Sequence, residues 1–138
     1  MFSTLHAMIK HKMKTWEAQM ADASSMWNFA VRLATAQDKA GSVFILEHPA
    51  RATSWGLPST KALLEIPGVT QVCFDECSLG LKCPGTGGAL QKRTRLATNS
   101  EHVKAIFTEF QCVCKVKHRC IHRRAGGMVL STFASQIS

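Results

Sequence analysis

The sequence predicts an α/β domain, and three features carry that expectation. A long stretch free of Gly and Pro bears apolar residues at helical spacing and ends before Gly41. A run of four apolar residues, Val43-Phe44-Ile45-Leu46, follows after a very short connection. From Val69 to Phe74 apolar residues then alternate with polar ones. Helix followed by strand is the alternation of an α/β fold.

The helix is expected over residues 15–40, with Trp16, Met20, Ala23, Trp27, Ala30, Val31 and Ala34 forming a core-facing stripe. Gly41 supplies its stop. The strand at 43–46 reads as buried on both faces. It runs into Glu47-His48-Pro49, where the proline removes a backbone donor and ends the strand. The loop from Glu47 to Pro58 leads to a short helix from Thr60 to Ile66, capped by Ser59 and stopped by Pro67-Gly68. Strands at 69–74 and 95–98 form an antiparallel hairpin, because no crossover helix separates them. The long Gly-containing loop between them has the length of a functional segment. Asn99 or Ser100 caps a helix from Glu101 to about Phe110. Residues 111–122 form a basic end rich in Cys and His, and 125–138 a tail.

The chain has 138 residues, 46% of them hydrophobic, enough for one domain with a modest core. No run of about 18 apolar residues predicts a membrane span. Met1 to Lys14 lacks a signal core and cleavage site, so an intracellular location, nucleus or cytoplasm, is expected. In a reducing compartment the six cysteines read as free thiols or metal ligands. The net charge is +8, and its excess lies in the second half. From Lys82 onward ten basic residues stand against Glu101 and Glu109. Such a half can follow a phosphate backbone, and a solvated basic face is the alternative.

Three constellations carry chemistry. Glu47, at the carboxyl end of a strand, can hydrogen-bond a heterocycle edge or act as a general acid once burial raises its pKa. A loop ion pair with Arg51 is its structural alternative. His48 is a ligand or base, or only shapes the loop, and Trp55 stacks on a base or packs under the loop. The second constellation is Gln91-Lys92-Arg93-Thr94-Arg95. Arg93 and Arg95, two apart on an extended segment, share a face and can grip a phosphate or a base edge. The third is Cys112, Cys114, His118, Cys120 and His122. These five donors suffice for a tetrahedral zinc site, although their spacings are tighter than those of common zinc turns. Uncoordinated thiols are the alternative. Cys73, Cys77 and Cys83 are dispersed and suggest no shared site.

In order, the strand ending in Glu47-His48-Pro49, the strand leading to Asp75-Glu76-Cys77-Ser78-Leu79-Gly80, and Gln91-Lys92-Arg93-Thr94-Arg95 resemble the second half of a cytosine-5 DNA methyltransferase domain. More closely, residues 2–122 resemble the divergent methyltransferase-like domain of retroelement-type polyproteins. The resemblance implies a partial class I, Rossmann-like methyltransferase sheet with flanking helices. It implies that Glu47 contacts the target cytosine and that His48, Gln91, Arg93 and Arg95 line the same nucleic-acid pocket. In the family a cysteine loop and a Gly-rich turn for S-adenosylmethionine precede this region, and neither motif occurs here. The expectation over 1–124 is therefore a remnant or fragment, inactive by itself, that does not bind S-adenosylmethionine. Nucleic-acid affinity is what it would retain. An uncovered sheet edge would drive self-association. A small zinc-stabilised nucleic-acid-binding module, or a retroelement-derived reading frame without activity, are the alternatives.

Overall fold

The computed structural model describes residues 2–82, 87–115, 118–120, 124–125 and 128–129. Helix α1 spans Phe2–Lys39 and strand β1 Ile45–Pro49; α2 (Pro58–Leu64) and β2 (Thr70–Asp75) follow. The short β3 (Leu90–Gln91) precedes β4 (Arg93–Thr98) and helix α3 (Glu101–Thr108). Three two-residue strands, β5 (Arg119–Cys120), β6 (Arg124–Ala125) and β7 (Met128–Val129), complete the order. The overall class is α/β, built on a three-stranded antiparallel sheet in the order β1-β4-β2.

β4 is the central strand. It pairs antiparallel with β1 through Ile45↔Thr98 to Pro49↔Thr94, and with β2 through Thr70↔Thr98 to Asp75↔Arg93. β1 thus joins the hairpin of β2 and β4 along the far edge of β4, as its second antiparallel neighbour. β1 and β2 consequently run in the same direction with the reversed strand between them. The strand starts at Ile45 rather than Val43 and includes Pro49, whose missing N–H costs nothing at a sheet edge.

β1 is not buried on both faces. Phe44 and Leu46 are buried, whereas Val43 and Ile45 are 58% and 54% exposed. The reason is one-sided cover: α1 lies over the face of Leu46 and leaves Ile45 on the other. The core joins Trp27, Val31 and Ala34 of α1 to Phe44, Leu46, Trp55, Leu63 and Ala97. Trp16 and Met20, expected in that stripe, are 62% and 40% exposed, because α1 extends well beyond the sheet.

Local chemistry fixes the helix ends. Gly41 adopts φ 74°, a left-handed value that glycine takes without strain, and turns the chain from α1 toward β1. Asn99 clamps this corner, accepting from Phe44 N–H and donating to Asp38 and the Ser42 carbonyl. Ser100 is the cap of α3 and accepts from Val103 N–H at 3.3 Å. Ser59 does not cap α2. Pro58 opens that helix with its fixed φ, and the Ser59 hydroxyl donates to Asn28 on α1.

Candidate metal centre

β2 delivers its last residue, Asp75, into a 3-10 turn over Glu76–Leu79, which Gly80 closes at φ 94°. Cys77 sits in that turn. The segment after α3 returns to the same place. Phe107 packs on Phe74 with ring centroids 4.8 Å apart, anchoring the helix end over β2. The Phe110 carbonyl accepts from Asp75 N–H at 2.8 Å, and Gln111 Nε2 donates to the Cys73 carbonyl at 2.9 Å. Cys112 N–H then donates to Asp75 Oδ2 at 2.9 Å.

This docking brings Cys112 and Cys114 beside Cys77. His118 completes the group, with its Nε2 3.2 Å from Cys112 Sγ. Immediately after His118, β5 pairs in parallel with β3 through Leu90↔Arg119 and Gln91↔Cys120, which holds that end of the segment. One ligand atom from each of Cys77, Cys112, Cys114 and His118 lies within 4.8 Å of all the others. Three thiols and an imidazole at that separation form a donor set that can hold a metal ion such as zinc.

The electrostatics of the group follow from its crowding. Burial, then hydrogen bonding to Cys112 and Cys114, pushes the Cys77 thiol up to about 12. The Cys114 backbone N–H, aided by side-chain hydrogen bonds, draws the Cys112 thiol below its ordinary value. A coordinated cation overrides both effects, since ligating thiols lose their protons outright.

Cys112, Cys114 and His118 were expected from the sequence as ligands and converge here. Cys77 was set apart as dispersed, and the structure corrects that reading. It reaches the group because the β2–β4 pairing and the α3 docking return the chain to the end of β2. Cys120 belongs to β5, but its side chain, like His122, lies outside the described residues; so does Cys83.

The other expected residues occupy the sheet. Strand alternation places Glu47, Thr94 and Leu96 on the face toward α3, and His48, Arg93 and Arg95 on the opposite face. Glu47 lies in a cleft of about 440 Å³ lined by Ile45, Phe74, Glu76, Leu96 and Phe107. Burial raises its carboxyl above the ordinary value; Lys92 opposes the rise and Glu76 adds to it. From Gln91-Lys92-Arg93-Thr94-Arg95 it is Lys92 and Thr94 that reach this face. Both contact Glu76 Oε1, the ammonium at 3.1 Å and the Thr94 hydroxyl donating at 2.8 Å. The sequence reading passed over Glu76, although its place just after a strand's carboxyl end was the available signal.

On the other face His48 packs against Trp27 with ring centroids 4.6 Å apart, and burial lowers its pKa. Arg95 pairs in register with His48, its guanidinium 5.2 Å above the Trp55 ring. Trp55 is buried and donates its indole N–H to the Pro49 carbonyl at 2.9 Å. Arg93 Nη1 donates to both oxygens of Asp75 at 3.0 Å. Gln91 is exposed in β3. Glu47 and the two arginines are therefore not brought to one surface. Among the described residues no helix is long and apolar enough to cross a membrane. Comparison with family models, curated proteins and solved structures returns no match for the chain.

Proposed function

We propose that this chain is a zinc-stabilised nucleic-acid-binding module. The observation that carries the reading is the convergence of Cys77, Cys112, Cys114 and His118 within 4.8 Å. Four protein donors among the described residues match a structural rather than a catalytic zinc site, which keeps three protein ligands and an open position. Bound metal would tie the end of β2 to the segment after α3. That segment is strongly basic: Lys115, Lys117, Arg119, Arg123 and Arg124 lie among or just beyond the ligands, with no acidic residue between Cys112 and Arg124. The metal's role is to order this segment; the role of its cations is to contact phosphates without reading sequence.

The test is metal content together with salt-dependent binding. Stoichiometric zinc, lost in Cys114→Ser, and duplex or single-stranded DNA binding that falls steeply with salt support the module. Metal-free protein from a zinc-supplemented preparation, or no binding at low salt, refutes it.

Glu47 favours a second reading, that the chain is a remnant of a cytosine-5 DNA methyltransferase-like protein. A carboxyl group held toward its protonated form in an apolar cleft suits the polar edge of a planar base. The opposite-face placement of Arg93 and Arg95 speaks against a single pocket. Metal content separates the readings: stoichiometric zinc lost in Cys114→Ser favours the module, and metal-free protein that still binds nucleic acid favours the remnant.

A further inference from the structure

The exposed half of α1 is where the fold leaves an apolar seam open. Ile9, Met13, Trp16, Met20, Ala23, Trp27, Ala30 and Ala34 recur in alternating steps of four and three. That is the period of a coiled-coil seam. At its C-terminal end Trp27 and Ala34 are buried in the core. At its N-terminal end Ile9, Met13, Trp16 and Met20 are 50%, 59%, 62% and 40% exposed. All residues from 7 to 23 are exposed, so this is a projecting helical arm with one continuous apolar line.

We infer that the arm pairs antiparallel with the same arm of a second copy of this chain. Its charge distribution selects both occupant and direction. Lys10, Lys12 and Lys14 lie toward one end, Glu17 and Asp22 toward the other. A parallel pair would bring the three lysines of each arm level with those of its partner, with a Lys12–Glu17 contact as its one attractive pair on each side, whereas an antiparallel pair sets each whole basic end against the partner's acidic end. In that register Ile9 meets the partner's Met20, and Met13 meets the partner's Trp16. Lys10 then flanks the partner's Glu17 twice, once toward each end of the overlap.

The two folded bodies then sit at opposite ends of the pair. The overlap from Ile9 to Met20 is about 18 Å long at 1.5 Å per residue. A coiled coil of just over three turns is marginal alone. The seam continues, however, into a groove of about 660 Å³ beside Met20, lined by Trp27, Leu46, Ala52 and Leu57. The partner's arm tip arrives at this groove.

The test is sedimentation equilibrium of the full chain with reductant and zinc present, over a concentration series. A reversible dimer is expected, and a monomer at all concentrations overturns the proposal. Met13→Asp/Trp16→Asp should raise the dimer Kd roughly a hundredfold, given the apolar area it removes from the seam. These positions are exposed in the monomer, so an unchanged circular dichroism spectrum verifies folding. A dimer that survives this variant overturns the inference. Lys10→Glu or Glu17→Lys alone should weaken the dimer about tenfold by placing like charges together. Lys10→Glu/Glu17→Lys should restore it, while Lys12→Glu/Glu17→Lys should not. Restoration by the latter alone would mean a parallel pair and would overturn the antiparallel assignment.

Discussion

Trp27 Nε1 donates to Thr60 Oγ1 over 2.7 Å, and the same hydroxyl donates onward to the Ser54 carbonyl at 2.7 Å. Thr60 has no exposed surface, so one buried hydroxyl links α1, α2 and the turn before α2. Nothing in the local sequence announces the relay, because its members are 33 residues apart along the chain. Thr60→Val preserves shape but leaves the indole N–H without this acceptor and the Ser54 carbonyl without this donor. We expect a loss of about 1–3 kcal/mol in urea denaturation. Thr60→Ser, which keeps the hydroxyl, should lose less. Equal losses in the two variants would show that the methyl group rather than the relay matters.

Glu76 is a buried carboxylate held by Lys92 at 3.1 Å and by the Thr94 hydroxyl at 2.8 Å. Removing the cation from a buried pair costs more than the pair itself contributes. Lys92→Met is therefore expected to destabilise the fold by about 3 kcal/mol. Lys92→Met/Glu76→Gln, which also removes the negative charge, should recover part of that loss. A double variant no more stable than Lys92→Met would argue against a charge effect.

Glu47 and His48 give opposite pH dependences. Burial raises Glu47 above its ordinary value of 4.5, so the folded chain holds that proton to higher pH than the unfolded chain. Stability contributed by this group is present below about pH 4.5 and is lost as pH rises through the raised value. Burial lowers His48 below 6.5, so the unfolded chain takes up its proton first as pH falls. Stability is then lost as pH drops from about 6.5 through the lowered value. Glu47→Gln should raise Tm at neutral pH, with the gain vanishing in acid. A gain that persists below about pH 4 would point to packing instead.

The sheet was legible in the sequence to the extent that its strands have local signatures. Residues 69–74 alternate and Pro49 ends a run; the second strand appears one residue from the expected place, and the first is shifted by two to three residues to Ile45–Pro49. Burial was less legible. Ile45 and Trp16 are as apolar as Leu46 and Trp27, and only the position of α1 decides which of them is covered. The candidate metal centre was half legible. Cys112, Cys114 and His118 lie close in sequence, whereas Cys77 is brought in by long-range pairing that no local spacing encodes.

Asp75 gives the centre a supporting interaction that can be tested separately from the ligands. One of its carboxylate oxygens accepts from Cys112 N–H at 2.9 Å, and both accept from Arg93. Groups that orient ligands typically contribute about 10–100-fold to metal affinity. Asp75→Ala is expected to weaken zinc binding by about tenfold in competition with a chelator. Unchanged affinity would show that the backbone alone positions Cys112.

The identity of the fourth ligand is the sharpest test of the site. Cys77 and Cys73 lie near each other at the end of β2, and both are half-buried, but only Cys77 joins the group. Cys77→Ser should lower zinc affinity as far as Cys114→Ser does, while Cys73→Ser should leave it unchanged. Cobalt substitution supplies the readout, because a tetrahedral centre of three thiolates and one imidazole gives strong visible and charge-transfer bands. Those bands should weaken or shift in Cys77→Ser and remain in Cys73→Ser. If Cys77→Ser kept the full spectrum, Cys120 or His122 would have to supply the fourth donor, and the basic segment would close its metal site without being tied to β2.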